Sequence, residues 1–234
     1  MSIAVIPARG GSKRIPRKNI RDFCGLPMIA HSIHVALQSN LFEHVVVSTD
    51  DQEIAGIAKQ HGATVPFIRP ADLADDHATT LDVMAHAVRA CESAGLLAQR
   101  YCCLYATAPF VTAADLQRGN ELLSSAGVAY AFSATRFSFP VQRAIRIAVS
   151  GSIAPAWPEF IQSRSQDLEA LFHDAGQFYW GLASAFSNKL PFFAAHSRAV
   201  VLPPYQVQDI DDEDDWQRAE LMHAAWRSAT RQQP

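Results

Sequence analysis

The sequence predicts an α/β fold in which a mostly parallel sheet is covered by helices on both faces. Short, continuous apolar runs recur along residues 1–133, and segments in which apolar residues have helical spacing lie between them. Strands that are apolar without alternation are buried on both sides, as in parallel sheets. The alternation of strands and helices stops after Ala134, where aromatic, proline and basic residues mix without a clear period. The chain should therefore leave the sheet there and return later.

Each element follows from its local pattern. Buried strands are expected where apolar residues stand together, at 3–6, 45–48, 65–68, 101–105, 128–133 and 199–202. Helices are expected where apolar residues recur three and four apart, at 27–39, 51–61, 80–92, 113–124 and 214–228. In the third of these helices, Leu81, Met84 and Val88 fall on one face, which should pack against the sheet.

Residues 136–175 are predicted to form an arm that projects from the domain. Short strand-like pieces are expected in and beside it, at 144–149 and 178–180. The arm carries several aromatic side chains, namely Phe137, Phe139, Trp157 and Phe160. These are too many for a segment exposed in a monomer, so we expect the arm to join two copies in a homodimer. The whole chain, 1–234, is then one domain with an appended arm.

Composition excludes several classes of protein. Apolar residues make up 49% and charged residues 18% of the 234 residues, which indicates a globular chain with a sizeable core. The net charge of −3 provides no basic excess for nucleic acid or an anionic membrane. The cysteines form no CxxC pair, which argues against a zinc site and indicates buried thiols in a reducing compartment. We find no signal-peptide pattern and no apolar run near the ~18 residues that span a bilayer, so we expect a cytoplasmic protein.

The most informative segment is the loop IPARGGSKRIPRKNI at 6–20, directly after the first predicted strand. Ligands of open α/β sheets bind beyond the carboxyl ends of strands, and paired glycines let backbone N–H groups approach an anion. The basic side chains suit a triphosphate; they are Arg9, Lys13, Arg14, Arg17 and Lys18. A solvated basic loop and a localisation or nucleic-acid patch are the alternatives. The loop has neither GxxxxGK[ST] nor GxGxxG spacing, which favours nucleotidyl transfer over ATPase or dehydrogenase chemistry.

This loop resembles the signature loop of the CMP-sugar synthetases, the cytidylyltransferases that act on sialic acid and its relatives. Further segments resemble that family in the same order along the chain: VSTD at 47–50, Arg69-Pro70 with Leu73, Asp76 and Thr79-Thr80, LYATAPF at 104–110, and QDID at 208–211. Several independent motifs in the right order make the resemblance specific, and it covers nearly the whole chain. It implies a Rossmann-like fold, a single nucleotidyltransferase domain and CTP as the nucleotide substrate.

Segments of the second half resemble the pseudaminic acid branch of the family. They are FPVQRA at 139–144, RSQDL at 164–168 and HDAGQFYW at 173–180. Tyr105 stands where many members of the family carry a glutamine that contacts the sugar, which fits a sugar whose substituents differ from those of sialic acid. The resemblance thus implies transfer of CMP from CTP to the anomeric hydroxyl of pseudaminic acid, with release of pyrophosphate.

The resemblance assigns the nucleotide side of the site to the loop and to the segment around Arg69. Arg9 and Lys18 should bind the triphosphate and act in catalysis together with Asp211, whereas Lys13 and Arg14 are weaker candidates. The full set expected to bind the nucleotide is Ala8, Arg9, Gly10, Gly11, Ser12, Lys13, Lys18, Asn19, Arg69, Thr79 and Thr80.

The acidic turn at 208–211 is expected to bind Mg²⁺. Residues two apart in an extended turn point to the same side, so Asp209 and Asp211 can share one hard cation, and the resemblance indicates the same pair. The acids at 212–215 open the last helix, where they suit its dipole and cap its free N–H groups. No side chain stands out as a general base.

A nine-carbon acidic sugar brings one carboxylate and many hydroxyls, so its site needs a cation and amides. The residues expected to contact the sugar are Tyr105, Gln142, Arg143, Gln166, Gln177 and Tyr179. Packing in the core or at a dimer interface is the alternative for the aromatic side chains, and ion pairing across an interface is the alternative for Arg146 and Arg164.

Other functions stay open on the sequence alone. The same chemistry could act on sialic acid, legionaminic acid or Kdo, or the chain could bind sugar nucleotides without catalysis. The loop could also bind nucleic acid. The intact set of Arg9, Lys18, Asp209 and Asp211 argues against a loss of catalysis. The negative net charge and the absence of a nucleic-acid motif argue against the last alternative.

Overall fold

The computed structural model describes residues 1–75 and 77–231; Asp76, one of the motif residues, lies outside this description. The strands, in chain order, are β1 (Ser2–Pro7), β2 (Asp22–Phe23), β3 (Leu26–Pro27), β4 (His44–Ser48), β5 (Arg100–Leu104), β6 (Tyr130–Arg136), β7 (Ile145–Ile147), β8 (Ile153–Pro155), β9 (Phe172–Leu182) and β10 (Ser197–Leu202). The helices are α1 (Met28–Gln38), α2 (Gln52–Gln60), α3 (Thr80–Ser93), α4 (Ala113–Leu122), α5 (Ala183–Ser187) and α6 (Glu213–Arg231).

The central sheet has the strand order β10-β6-β9-β5-β1-β4. The pairs β1/β4, β1/β5 and β6/β10 are parallel, and β9 runs antiparallel between β5 and β6. In β1, Ile3, Val5 and Ile6 are fully buried, as expected for a continuous apolar strand in a sheet whose two faces are covered. The prediction of a mostly parallel sheet is confirmed.

Helices cover both faces of this sheet, as predicted. On one face, α1, α2 and α4 pack through Ile33, Ile54 and Leu116. On the other face, α3 and α5 pack through Met84 and Phe186. None of the helices within residues 1–75 and 77–231 has the length and apolar character that a membrane crossing requires.

The C-terminal helix α6 packs on a third, smaller apolar cluster. Trp216 and Ala219 of α6 meet Ile15, Phe23 and Met28 there. Because Ile15 belongs to the N-terminal loop, the helix that follows the acidic turn is docked on the loop itself. This packing brings residues 208–211 against residues 9–19.

The strand predicted at 65–68 is wrong. Thr64, directly before this segment, pairs with β4 through an isolated bridge to Val46, and residues 65–68 form no strand. Pro66 has no N–H with which to continue a ladder, so the segment leaves the edge of the sheet. It returns at Arg69, whose backbone N–H donates to the carbonyl of Thr49 at 2.8 Å. This contact places Arg69 beside the carboxyl end of β4.

Strand β9 differs most from the expectation. The pattern predicts only 178–180 as a short strand beside the arm, whereas β9 spans eleven residues in the middle of the sheet. A register shift between Phe132 and Ala134, and a positive φ of 60° at Gly176, interrupt the regular alternation that would have indicated the strand. Arg136 and residues 172–174, predicted to lie in the arm, pair within the sheet instead.

Residues 137–171 remain of the predicted arm and are called the arm below; they contain the antiparallel β7–β8 hairpin. Its apolar side chains are strongly exposed: the exposed fraction is 84% for Phe139, 69% for Ile147 and 67% for Ile153. Trp157 is also exposed. An apolar surface of this kind suits contact with another molecule.

Candidate active site

The N-terminal loop leaves β1 at the carboxyl end of the sheet and is fixed there by backbone contacts. The N–H of Ala8 donates to the last carbonyl of β4 at 2.9 Å, and the N–H of Gly10 donates to the Asp50 carboxylate at 3.0 Å. A Cβ at position 10 would lie 2.6 Å from Asp51, so only glycine allows this close approach. Gly11 has open space around the corresponding position, so its neighbours do not demand a glycine.

A cleft of about 280 Å³ lies between this loop, the start of α3 and the acidic turn. It gathers most of the predicted nucleotide and catalytic residues: Arg9, Ser12, Lys13, Lys18, Asn19, Arg69, Thr80 and Asp211. The other lining residues are Pro7, Arg14, Ile15, Ala78, Val83, Tyr105, Ala106 and Thr107. The small and apolar members of this second group carry no charge pattern by which a sequence would reveal them.

Thr79, together with Ala8, Gly10 and Gly11, was predicted to bind the nucleotide but does not line this cleft. The hydroxyl of Thr79 accepts the N–H of Asp82 at 3.2 Å, and the Asp82 carboxylate accepts the N–H of Thr79 at 3.2 Å. This reciprocal capping box begins α3 and so fixes the turn that carries Thr80 into the cleft.

The basic side chains of the loop meet the acidic turn across the cleft. Arg14 lies 2.8 Å from the Asp211 carboxylate, and Lys18 lies 3.7 Å from the same oxygen. Lys18 also donates to the carbonyl of Ile210. Burial lowers the pKa of Lys18, whereas the negative charges of Asp211 and Asp209 oppose this change. The loop and the turn are thus held together by opposite charges.

Arg17, in contrast, stabilises the loop against α2 and does not line the cleft. It adopts a positive φ of 56°, and its guanidinium pairs with Asp51 and Glu53, each at 2.5 Å. The hydrogen bond from Arg17 is the main cause that lowers the pKa of Asp51 to about 2. Asp51 also caps the start of α2 by accepting the N–H groups of Glu53 and Ile54.

Arg69 is a buried cation with unused donors. Its side chain is 4% exposed, and its Nε and Nη2 find no hydrogen-bond partner among the described residues. Asp50 lies 3.8 Å from Nη2, and burial lowers the pKa of the guanidinium. A buried guanidinium is costly unless its N–H groups are used. Because Arg69 lines the cleft, the arrangement suits a ligand that presents phosphate or carbonyl oxygens.

The acidic turn lies where this first cleft meets a second cleft of about 430 Å³: Asp211 lines the first and Asp209 the second. Desolvation raises the pKa of Asp209, the negative charge of Asp211 raises it further, and Lys18 opposes the change. No three His, Cys, Asp or Glu side chains cluster as a metal site would in the part of the chain described here. Two carboxylates therefore fit Mg²⁺ as a partial ligand set, which phosphate and water oxygens would complete.

Tyr105 separates the two clefts, because it lines both of them. The second cleft is otherwise lined by His173, Asp174, Ala175, Gly176, Tyr179, Val207, Gln208 and Asp209. Of the predicted sugar contacts, it gathers Tyr105 and Tyr179. Asp174 was not among the residues predicted for the site, although an aspartate two residues before a glycine is a recognisable turn pattern.

The hydroxyl groups of the two tyrosines are fixed by neighbours on opposite sides. The Tyr105 hydroxyl lies 2.7 Å from the hydroxyl of Thr80, and the Tyr179 hydroxyl donates to the Asp174 carboxylate. Burial raises the pKa of Tyr105 to about 12 and raises the pKa of Tyr179 well above its ordinary value. Both tyrosines are therefore neutral near pH 7 and act as hydrogen-bonding groups.

The remaining predicted sugar contacts lie outside both clefts. On the arm, Gln142 donates to the carbonyl of Glu169 at 2.9 Å, Arg143 donates to a serine hydroxyl at 3.1 Å, and Gln166 is exposed. Gln177 is buried in β9, where its Nε2 donates to a backbone carbonyl at 3.2 Å. The structure thus brings together only part of the predicted sugar site within one chain.

Known proteins resemble this chain in sequence and in fold. A model of the cytidylyltransferase family matches residues 3–143. A pseudaminic acid cytidylyltransferase from Campylobacter jejuni is 40% identical, over 95% of this chain and 96% of its own length. A CMP-N,N'-diacetyllegionaminic acid synthase from Legionella pneumophila is 30% identical, over 94% of this chain and 95% of its own length.

A solved structure of CMP:2-keto-3-deoxy-manno-octonic acid synthetase with CTP has the same fold at 18% identity. Its TM-score is 0.70, over 96% of this chain and 98% of that chain. The match of the family model to more than half of the chain, and relatives similar over nearly their full length, agree with the geometry of the loop and the acidic turn. This chain belongs to the cytidylyltransferase family.

Proposed function

We propose that this chain transfers CMP from CTP to the anomeric hydroxyl of pseudaminic acid and releases pyrophosphate. The observation that carries the proposal is that a cationic cleft and a tyrosine-lined cleft adjoin at Tyr105, in a chain 40% identical to a pseudaminic acid cytidylyltransferase. The anomeric oxygen attacks the α-phosphorus, the bond from that phosphorus to the bridging oxygen breaks, and pyrophosphate leaves with the bridging oxygen. The proton of the hydroxyl passes to solvent or to a phosphate oxygen.

The first cleft is assigned to CTP. A triphosphate carries about four negative charges, and Arg9, Lys13, Arg14 and Lys18 line the cleft that would hold it. Arg14 and Lys18 also contact Asp211, so these two cations lie between the proposed triphosphate site and the acidic turn.

Mg²⁺ is the cofactor that this arrangement implies, with Asp209 and Asp211 as its protein ligands. When bound, the ion neutralises the charge that develops on the phosphate oxygens. The residues of the chain supply position: Lys18 and Arg9 orient the triphosphate, and Asn19, whose amide donates to the carbonyl of Arg9 at 2.9 Å, keeps the loop in shape.

The second cleft is assigned to the sugar, with Tyr105 between the sugar and the nucleotide. Gln142, Arg143 and Gln166 line neither cleft of their own chain, so they can contact a sugar only if the arm docks on a second copy. We therefore propose a homodimer in which the apolar arm forms the contact. The exposure of Phe139 and Ile147 supports this proposal.

A second candidate substrate is a legionaminic acid, because a CMP-N,N'-diacetyllegionaminic acid synthase is also similar along nearly the whole chain. A screen of pyrophosphate release distinguishes the candidates: CTP with Mg²⁺ and each of pseudaminic, legionaminic, sialic and Kdo acids. We expect the highest kcat/KM with pseudaminic acid, by at least an order of magnitude over sialic acid. UTP in place of CTP should give little turnover, and equal rates with both nucleotides would contradict the assignment.

We also propose that the reaction takes place in the cytoplasm and does not involve nucleic acid. The four cysteines are unpaired, which is usual in a reducing compartment. The net charge of −3 does not favour a polyanionic partner. A gel-shift assay with single- and double-stranded oligonucleotides should show no band shift at physiological salt, and a shift would contradict the second part of this proposal.

A further inference from the structure

Asp174 is an acidic residue that lines the second cleft and has no role in the proposed reaction. It lies in β9 and is half-buried. One carboxylate oxygen accepts the N–H of Gly176 at 2.9 Å, and the other accepts the hydroxyl of Tyr179. The positive φ of 60° at Gly176 allows the turn that makes the first contact. The position of this carboxylate is therefore fixed on both sides.

The contacts of Asp174 extend to the nucleotide cleft. Tyr179 is 3% exposed, and its ring lies beside that of Tyr105, with ring centres 5.7 Å apart. The hydroxyl of Tyr105 in turn lies 2.7 Å from that of Thr80. Asp174, Tyr179, Tyr105 and Thr80 thus form a row of polar groups from the second cleft to the first.

Asp174 keeps part of its capacity to accept hydrogen bonds. Both of its donors, an amide and a phenol, are neutral, and a carboxylate offers about four lone-pair positions, of which two are used. Asp209 adds a second carboxylate to the same cleft. Among the residues that line the second cleft, His173 alone can carry a positive charge, and its ring is exposed.

These charges restrict how an acidic sugar can lie in the cleft. The sugar's own carboxylate would be repelled by Asp174, so it must point away from this side chain. The side of the sugar that faces Asp174 can present neutral donors to the lone-pair positions of the carboxylate that remain unused. Pseudaminic acid has two acylamino groups, and their N–H groups are donors that a nonulosonic acid with fewer such groups lacks.

We propose that Asp174 determines specificity for the sugar by accepting an acylamino N–H, while it also holds Tyr179 in place. This inference rests on the proposed function, because it needs an acylamino sugar in the second cleft. It assigns to a residue of β9 the discrimination against nonulosonic acids that have fewer acylamino groups.

Two analogues of pseudaminic acid test the proposal on the wild-type enzyme. In each, one acylamino group is replaced by the matching O-acyl ester, which keeps the shape but removes the N–H. With CTP saturating, one analogue should lose roughly ten- to a hundredfold in kcat/KM, because one hydrogen bond to a charged acceptor is lost. Equal kcat/KM for pseudaminic acid and both esters would overturn the proposal. This test uses only the wild-type enzyme, so it does not depend on the folding of a variant.

The variant Asp174→Asn sharpens the test. The KM for pseudaminic acid should rise about tenfold or more while the KM for CTP stays within twofold, and the penalty for the ester analogue should shrink toward unity. A residue that only supports Tyr179 would lower activity with all three sugars alike, as Tyr179→Phe would. Equal losses with all three sugars would therefore refute a direct contact.

Asp22→Asn is the matched control. Asp22 is exposed, lies outside both clefts, and its carboxylate also accepts the N–H of a nearby glycine, Gly25, at 3.2 Å. It should change neither KM. If the wild type converts no pseudaminic acid at all, the proposed function itself fails and this inference falls with it. An active wild type whose KM for the sugar is unchanged by Asp174→Asn removes this inference alone.

Discussion

The two clefts differ in how the chain builds them. The first is framed largely by one continuous loop, residues 7–19, to which α3 and the acidic turn are added, and its polar lining is mainly cationic. The second is built from two segments that are distant in the chain, the bulged end of β9 and residues 207–209. Its polar lining is made of two tyrosines and two carboxylates together with His173 and Gln208.

This difference matches the ligand that we propose for each cleft. A triphosphate is bound by charge, and several long cationic side chains on one loop can contact it in many arrangements. A sugar is distinguished from its relatives by the positions of single donors and acceptors, which must be held by the sheet. Variants on the nucleotide side should therefore lose activity with every sugar, whereas variants on the sugar side should change which sugar is used.

The largest effect is expected at Asp211, the acidic residue of the first cleft. Asp211→Asn keeps the size of the side chain but removes the charge that Mg²⁺ needs and that Arg14 and Lys18 contact. Steady-state kinetics should show a fall in kcat/KM of roughly a hundredfold or more with every sugar, partly restored by excess Mg²⁺. Asp214→Asn, an exposed acid of α6, is the control and should stay within twofold. Full wild-type activity in a strong chelator would contradict the metal assignment.

A smaller loss is expected for Lys18→Ala. The variant removes one charged phosphate contact, which corresponds to about 1.5–3 kcal/mol, or roughly a ten- to hundredfold fall in kcat/KM. The melting temperature should fall only slightly, because Arg14 still pairs with Asp211 across the same cleft. Lys59→Ala on the exposed face of α2 is the matched control. If Lys18→Ala retains activity within twofold of the wild type, the loop does not bind the triphosphate as proposed.

The nucleotide side was the easier half to predict from the sequence. Its cations lie within one loop, so the sequence alone indicates Arg9, Lys13 and Lys18, and all three line the cleft. The sequence could not tell that Arg17, in the same loop, pairs with Asp51, because that contact depends on where α2 begins. A sequence shows which side chains are charged, but it does not show which residue each of them pairs with.

The sugar side was predicted less completely because its contacts are non-local. A glycine with positive φ and a register shift interrupt β9, so its alternation did not indicate a strand, and Asp174 was missed with it. The strand predicted at 65–68 was wrong for the converse reason: an apolar run looked like a strand although Pro66 breaks its ladder. The fold class survived these errors because it depends on the apolar runs of β1, β4 and β5.

The arm provides the next test, since it should affect only the sugar side. Phe139→Asp with Ile147→Asp places two charges on the exposed apolar surface. A dimer interface of ordinary size buries roughly 1,600 Å², and unpaired charges within it should separate the copies. Sedimentation should show a wild-type dimer and a variant monomer, with a higher KM for the sugar and an unchanged KM for CTP.

Leu97→Asp is the control for the arm, because Leu97 is 65% exposed and lies outside it. This variant should sediment like the wild type. A wild-type protein that is monomeric at micromolar concentration would contradict the dimer. A monomeric variant with an unchanged KM for the sugar would show that sugar binding does not depend on dimer formation. Gln142, Arg143 and Gln166 would then not contact the sugar.

The smallest effect concerns pH and the docking of α6. His223 of α6 is buried against Phe23, at 5.3 Å between ring centres, and its Nδ1 has no partner among the described residues. Burial lowers the pKa of His223 to about 4, and His31, whose ring centre also lies at 5.3 Å, and Arg227 lower it further. The unfolded chain, with an ordinary histidine pKa near 6.5, then binds a proton before the folded chain does. The contribution of the neutral His223 to the free energy of unfolding is therefore complete above about pH 6.5 and is lost as the pH falls from about 6.5 toward about 4.

Replacing this histidine should therefore flatten the pH dependence of stability. The melting temperature of the wild type should fall more between pH 7.5 and pH 5.0 than that of His223→Phe, by roughly 2–4 °C, whereas His77→Gln at an exposed position should behave like the wild type. Because α6 packs on Ile15 of the loop and not on the second cleft, acid should raise the KM for CTP before the KM for the sugar. Parallel changes in both KM values at pH 5.5 would show that the two clefts do not respond independently to the docking of α6.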